Sequence, residues 1–146
     1  MIPGVTGELL SSAYLARYVR EHEHAGARPD AWARGVVRWW RHAHQSLGPA
    51  SPPRAILDIG ALPFLALLGY TVARVEPTPS GHVGVLAGGG GPSAAFVSAE
   101  WGVPADGAWR HALRTSLAAR LPWALVFNGS HLTLIDGSRP WTRRLL

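Results

Sequence analysis

The sequence predicts an α/β fold with a core ordered α-β-β-β-α-β, two helices ahead of it and a β-hairpin closing it. Three observations carry this. Pro122 to Asp136, PWALVFNGSHLTLID, joins an unbroken apolar run to an alternating one through Asn128-Gly129. That is the pattern of a buried strand turning back into a strand nearer the sheet edge. Between residues 70 and 99, three short β-type runs are separated by Pro- and Gly-rich turns. Residues 31–47 and 104–120 repeat their apolar positions at helical spacing.

In chain order, Glu8 to His24 reads as a helix, with Thr6 or Gly7 as its cap and Gly26 and Pro29 in the loop that ends it. Asp30 suits the N-cap of the next helix, Ala31 to Leu47. There Trp32, Val36, Trp39, Trp40, Ala43 and Leu47 form an apolar stripe, expected in the core, and Arg34, Arg38 and Arg41 form a cationic one. Gly48-Pro49 stops it. Ser51-Pro52-Pro53 starts a third helix, whose prolines occupy the first turn where no N–H is needed. The segment to Leu68 is apolar nearly all round, and Pro63 must kink or split it. Strands follow at Tyr70–Glu76, His82–Ala87 and Ala94–Ala99, joined by Pro77–Gly81 and by the glycine run Gly88–Gly91. The helix opened by Pro104-Ala-Asp106 is expected to face inward through Trp109, Leu113, Ser116 and Leu117. Trp123–Phe127 and His131–Ile135 complete the sheet, with Leu132 and Leu134 on one face and His131, Thr133 and Ile135 on the other. Residues 1–48 are read as a helical extension and 49–146 as the α/β core of one compact domain.

The chain of 146 residues is long enough to bury a core, and 47% hydrophobic content with seven Trp marks it as globular. It has no cysteine, which excludes disulfides and Cys-based zinc sites. Met1-Ile-Pro-Gly lacks the features of a signal peptide, and the apolar stretch Ile59–Tyr70 is too short to span a bilayer. A cytoplasmic location with no membrane partner is the expectation. The formal charge is +5 and every basic residue is Arg, so chemistry that needs a lysine ammonium is excluded. Arg suits bidentate contact with phosphate, and Arg110 and Arg114 add an i, i+4 pair to the stripe at 34, 38 and 41. A solvated helix face is the plainer reading of either set alone.

Other constellations are weak. His22-x-His24 and His42-x-His44 point to nearly opposite sides of a helix and cannot chelate one ion. Gly88–Gly91 is followed by Pro-Ser rather than Gly-Lys-Ser/Thr, so it is a hairpin connection and not a phosphate cradle. Ser, His and Asp occur without a nucleophile-elbow signature.

The α-β-β-β-α-β order is that of the PD-(D/E)xK nuclease core. In that fold an acid on the second strand and an acid–lysine pair on the third hold a divalent metal that activates water. The corresponding positions here are His82, Ser98 and Glu100, of which only the last is acidic. Asp58 and Glu76 are candidates, with Glu100, for a migrated site. Several phrases, namely GELLSSAYLARYV, VVRWWRHAHQSLGPAS, LPFLALLGY, AEWGVPADGAWRHALRTSL and PWALVFNGSHLTLIDGSRPWTRRLL, span nearly the whole chain. On these the chain resembles the N-terminal, nuclease-like region of type IIG fused restriction endonuclease–methyltransferases. The resemblance implies a restriction–modification or phage-defence setting and a methyltransferase module as partner. The methyltransferase motifs themselves are absent. Arg143-Arg144-Leu145-Leu146 reads as an internal point of a longer chain, with Trp141, beside Arg139 and Arg143, packing on the continuation.

Three functions are thereby expected, in order. The first is a catalytically degenerate nuclease-like domain that contacts DNA backbone through Arg34, Arg38, Arg41, Arg110 and Arg114, or scaffolds a partner, with no cofactor. The second is a Mg²⁺-dependent nuclease with a rearranged site. The third is a protein-interaction module that docks through the Trp-rich helix or the tail.

Overall fold

A computed structural model describes residues 5–7, 9–22 and 30–138. The chain divides into two compact units, Met1–Arg34 and Gly35–Leu146. The boundary differs from the one read at residue 48, because Ala43 and Leu47 of the second helix belong to the core of the larger unit.

In the first unit, α1 runs Ser12–His22. It starts later than Glu8, and the cap is Ser11, whose hydroxyl accepts from the Tyr14 N–H at 3.1 Å. Tyr14 stacks on Tyr18 one turn later, with ring centroids 6.0 Å apart. Arg17 lies over the Tyr14 ring and reaches Glu21 at 3.7 Å. The Gly26–Pro29 loop and His24 fall outside the described residues. Helix α2, Asp30–Ser46, begins in this unit and continues into the larger one.

The larger unit is a five-stranded sheet in the order β1-β2-β3-β4-β5. The strands are β1 Thr71–Thr78, β2 Gly81–Gly88, β3 Gly91–Ala99, β4 Trp123–Phe127 and β5 Leu132–Asp136. All neighbours are antiparallel except β3 and β4, which run parallel and need a crossover helix between them. Two helical segments, α3 (Pro53–Ala55) and α4 (Leu62–Leu67), precede β1, so the crossover helix is α5, Ala105–Ala118. The chain is thus a mixed α/β protein, as the alternation and turn chemistry predicted.

Both early hairpins are tighter than expected. β1 and β2 meet across Pro79-Ser80, and β2 and β3 across Gly89-Gly90, so glycines read as loop extend the ladder. At the other end, Asn128-Gly129 opens a four-residue connection. Only Gly129 takes positive φ, at 84°. Asn128 instead works through its side chain: its Oδ1 accepts the N–H groups of Ser130 at 3.1 Å and His131 at 2.7 Å. The edge strand β1 carries a bulge between Ala73 and Glu76, with Arg74 at φ 54°. Bulges and charges of this kind blunt a sheet edge against stray pairing.

Helical layers cover both faces. On one side lie the larger-unit part of α2 and the segment from residue 53 to 67. That segment is a single turn α3, Pro53–Ala55, a widened π-helical stretch Ile56–Ala61, and α4, Leu62–Leu67. Pro63 causes the widening, because in an α-helix its ring would strike the carbonyl four residues back and its missing N–H would leave a gap. The Leu62 N–H accordingly reaches the Leu57 carbonyl, five residues back. Ile56, Leu57, Ala61 and Leu65 pack with Ala43 and Leu47 on Leu86, Phe96 and Phe127.

The opposite face holds α5. Its buried seam is Ala108, Ala112 and Ser116, set against Ala95, Val97, Ala99, Ala124 and Val126. Small residues on both sides bring helix and sheet close. Leu117, expected to face inward, is 57% exposed, because the i, i+4 seam excludes it. Trp40, also expected in the core, is 51% exposed. Adjacent helical positions diverge by about 100°, and Trp39 takes the inward one, its indole N–H donating to the Gly60 carbonyl at 2.8 Å.

Candidate functional site

Ligands of α/β sheets bind outside the carboxyl ends of parallel strands, which here is the end where β3 and β4 finish. His82 and Ser98 meet there as directly opposed partners on β2 and β3. They share a face with Phe96 and Phe127, beneath the helical layer of residues 53–67. Ser98 is fully buried and His82 nearly so, and neither Ser98 Oγ nor His82 Nδ1 has a hydrogen-bond partner. Glu100 follows the end of β3 and is exposed. The crevice beyond is bridged: Gly102 N–H donates to the Asn128 carbonyl at 3.0 Å, and Asn128 Nδ2 to the Val103 carbonyl at 2.8 Å. Asn128 is therefore a buried clasp between the loops after β3 and β4. Only its value as a turn residue was visible in the sequence.

The other carboxylates are dispersed. Glu76 opposes Val83 in the ladder, which puts it on the α5 face. Asp58 belongs to the helical layer on the other face, where it is held by Arg54 at 2.6 Å. The sheet thus separates Glu76 from Asp58. Among the described residues no cluster of three or more His, Asp or Glu groups could hold a metal ion. Mg²⁺ prefers several oxygens including carboxylates, and one exposed carboxylate beside a buried imidazole and hydroxyl does not fit it.

Unsatisfied buried hydroxyls cost stability. Ser98→Ala is therefore expected to raise unfolding stability by about 1 kcal/mol, read as a higher urea midpoint at unchanged slope. A lower midpoint would show that the hydroxyl is satisfied in solution.

The arginines are all exposed: Arg34, Arg38 and Arg41 on α2, Arg110 and Arg114 on α5. None has an ion-pair partner among the described residues. Arg34 closes the first unit. Arg38 and Arg41 lie on the helix that covers one sheet face, and Arg110 and Arg114 on the helix that covers the other. The topology does not join the two sets. Arg38 and His42 also line a cleft of about 820 Å³ between α2 and the Pro63 region, with Trp39, Ile59 and Leu67 as apolar walls and Asp58 at its rim. His44 points elsewhere and stacks on Trp40, ring centroids 5.4 Å apart. The two histidines cannot share a ligand, as their spacing implied. The side chain of His22, with His24, Arg139, Trp141 and Arg143, lies outside the described residues. Among those described, no helix is long and apolar enough to cross a membrane.

No family model, curated protein or solved structure matches the chain.

Proposed function

We propose that this chain is a catalytically inactive, nuclease-like α/β domain of a restriction–modification or phage-defence protein. It binds nucleic-acid backbone through the arginines of α2 and leaves modification chemistry to a methyltransferase or other module. The observation that carries the reading is the exposed, unpartnered pair Arg38 and Arg41 on one helix face. Guanidinium groups without a carboxylate partner are free for the bidentate contact that phosphate favours. The strand order and the crossover between parallel β3 and β4 agree with the nuclease-like core. His82 and Ser98, where metal-binding acids would stand, argue against cleavage, and so does the separation of Glu76 from Asp58.

The test is binding of a labelled duplex across a salt series. Each phosphate contact contributes a slope of about 0.9 log units in affinity per log unit of salt. Arg38→Ala with Arg41→Ala is expected to flatten the slope by roughly two contacts' worth, whereas Arg110→Ala with Arg114→Ala leaves it nearly unchanged. Absence of binding at low salt would reject the reading. Mg²⁺-dependent cleavage lost on Glu100→Ala would reject its catalytic half.

A further inference from the structure

Four rings form a ladder that runs from the core to the surface. Phe64 stacks on Trp39 at 4.4 Å, Trp39 meets Trp40 at 6.1 Å, and Trp40 stacks on His44 at 5.4 Å with planes 16° apart. Its inner end is fixed by the Trp39 hydrogen bond to Gly60. Its outer end is open: Trp40 is 51% exposed and His44 is exposed too. Val37, one turn before Arg41, is 48% exposed beside it. Arg41 is three residues before His44 and so a surface neighbour of the ladder's open end, and Arg38, three before Arg41, lies farther round the helix toward the cleft it lines with Trp39 and His42.

We infer that this end of α2 binds single-stranded nucleic acid, an unpaired base continuing the Trp40–His44 stack while Arg41 holds the adjoining phosphate and Arg38, farther round the helix, the next one along the strand. This rests on the nucleic-acid reading above and names its substrate class. In a duplex the base faces are stacked on each other, and only edges and phosphates are offered to a protein. A presented ring face gains little there. An unpaired base offers its whole π-face, and aromatic platforms flanked by cations are the usual means of holding it. Bracing matters as well. Rings already fixed by their neighbours lose little side-chain freedom on binding, so more of the stacking free energy appears as affinity. The two unpartnered guanidiniums set the choice of occupant: an apolar protein surface would leave them uncompensated, whereas a polyanion matches them.

The experiment compares a fluorescein-labelled oligothymidylate with a labelled duplex of equal length, by anisotropy on the full chain. Single strand is expected to bind at least tenfold tighter. Trp40→Ala should weaken single-strand binding by about 5- to 100-fold and leave duplex binding within twofold. Trp40→Phe should recover most of the loss, and Arg41→Ala should lower the single-strand salt slope by about 0.7. Trp40 is half exposed, so its variants are expected to retain the fold, and the unchanged duplex affinity checks this directly. Equal weakening of both ligands, or a preference for duplex, would overturn the stacking site and leave the backbone reading standing. If neither ligand binds at low salt, both readings fail together.

Discussion

Phe96→Ala is expected to cost about 3–5 kcal/mol of unfolding stability. Phe96 lies in the middle of the central strand, 1% exposed, opposite Gly84 on one side and Leu125 on the other. Its ring closes the face on which Ile56, Leu57, Leu65 and Phe127 converge. The site cannot collapse on truncation, because the widened Ile56–Ala61 stretch is held by the Trp39–Gly60 hydrogen bond and by Pro63. A cavity therefore remains and adds to the lost transfer free energy. For a domain whose whole stability is typically about 5–15 kcal/mol, this is a large fraction. The thermal midpoint should fall on the order of 10 °C. Urea denaturation at unchanged slope reads it directly, and a loss under about 1 kcal/mol would mean that the helical layer is not packed on this ring. Two residues along the same strand and on the same face, Ser98→Ala carries the opposite sign. The contrast separates the removal of a packed ring from the removal of an unpaired hydroxyl.

Every strand of the larger unit was legible, because alternation and Gly or Pro punctuation are local signals. The crossover helix was equally visible. Several features were not, and each depends on information no local window holds. Trp39 rather than Trp40 turns inward and donates to the Gly60 carbonyl, an acceptor 21 residues along the chain that no local window contains. Leu117 lost its place to the seam of Ala108, Ala112 and Ser116, small residues that fit closely against a sheet face of alanines and valines. The two arginine sets read alike on their helices, yet chain topology sends them to opposite faces. The pairing of His82 with Ser98 is the sharpest case. Gly88 opposes Gly91 and Ala87 opposes Pro92, a register that would give His82 the partner Val97. An irregularity between Leu86 and Ala87 shifts the ladder by one residue. His82 then faces Ser98, and the two polar groups share one buried face. A single residue of register thus determines whether the positions named from the sequence form a pair at all.

Gly81→Ala is expected to be nearly as damaging, at about 2–5 kcal/mol, adding overpacking to backbone strain. Gly81 begins β2 at φ 155° and opposes Ala99. A Cβ there would fall on the backbone carbonyl of Ser98. Backbone cannot rotate aside as a side chain can, and Ser98 is tied on its other flank to Phe127 of β4. Relief requires β2 to separate from β3 at this end, which displaces His82 and Ser98 together. Amide exchange should accordingly quicken around residues 81–83 and 97–99 and remain slow around Gly88–Gly91. Gly89→Ala is the matched control, since a methyl group added there would meet nothing within 4 Å and the backbone φ is not positive. That change should stay within about 0.5 kcal/mol of neutral. If Gly81→Ala were equally silent, β2 and β3 would not be in contact at this end, and the buried His82–Ser98 pair would lose its structural basis. If it destabilises as expected while Arg38 and Arg41 still set the salt slope of the remaining folded protein, the sheet end and the α2 surface are independent. The buried His82–Ser98 pair would then serve packing, and the proposed binding would belong to the helix alone.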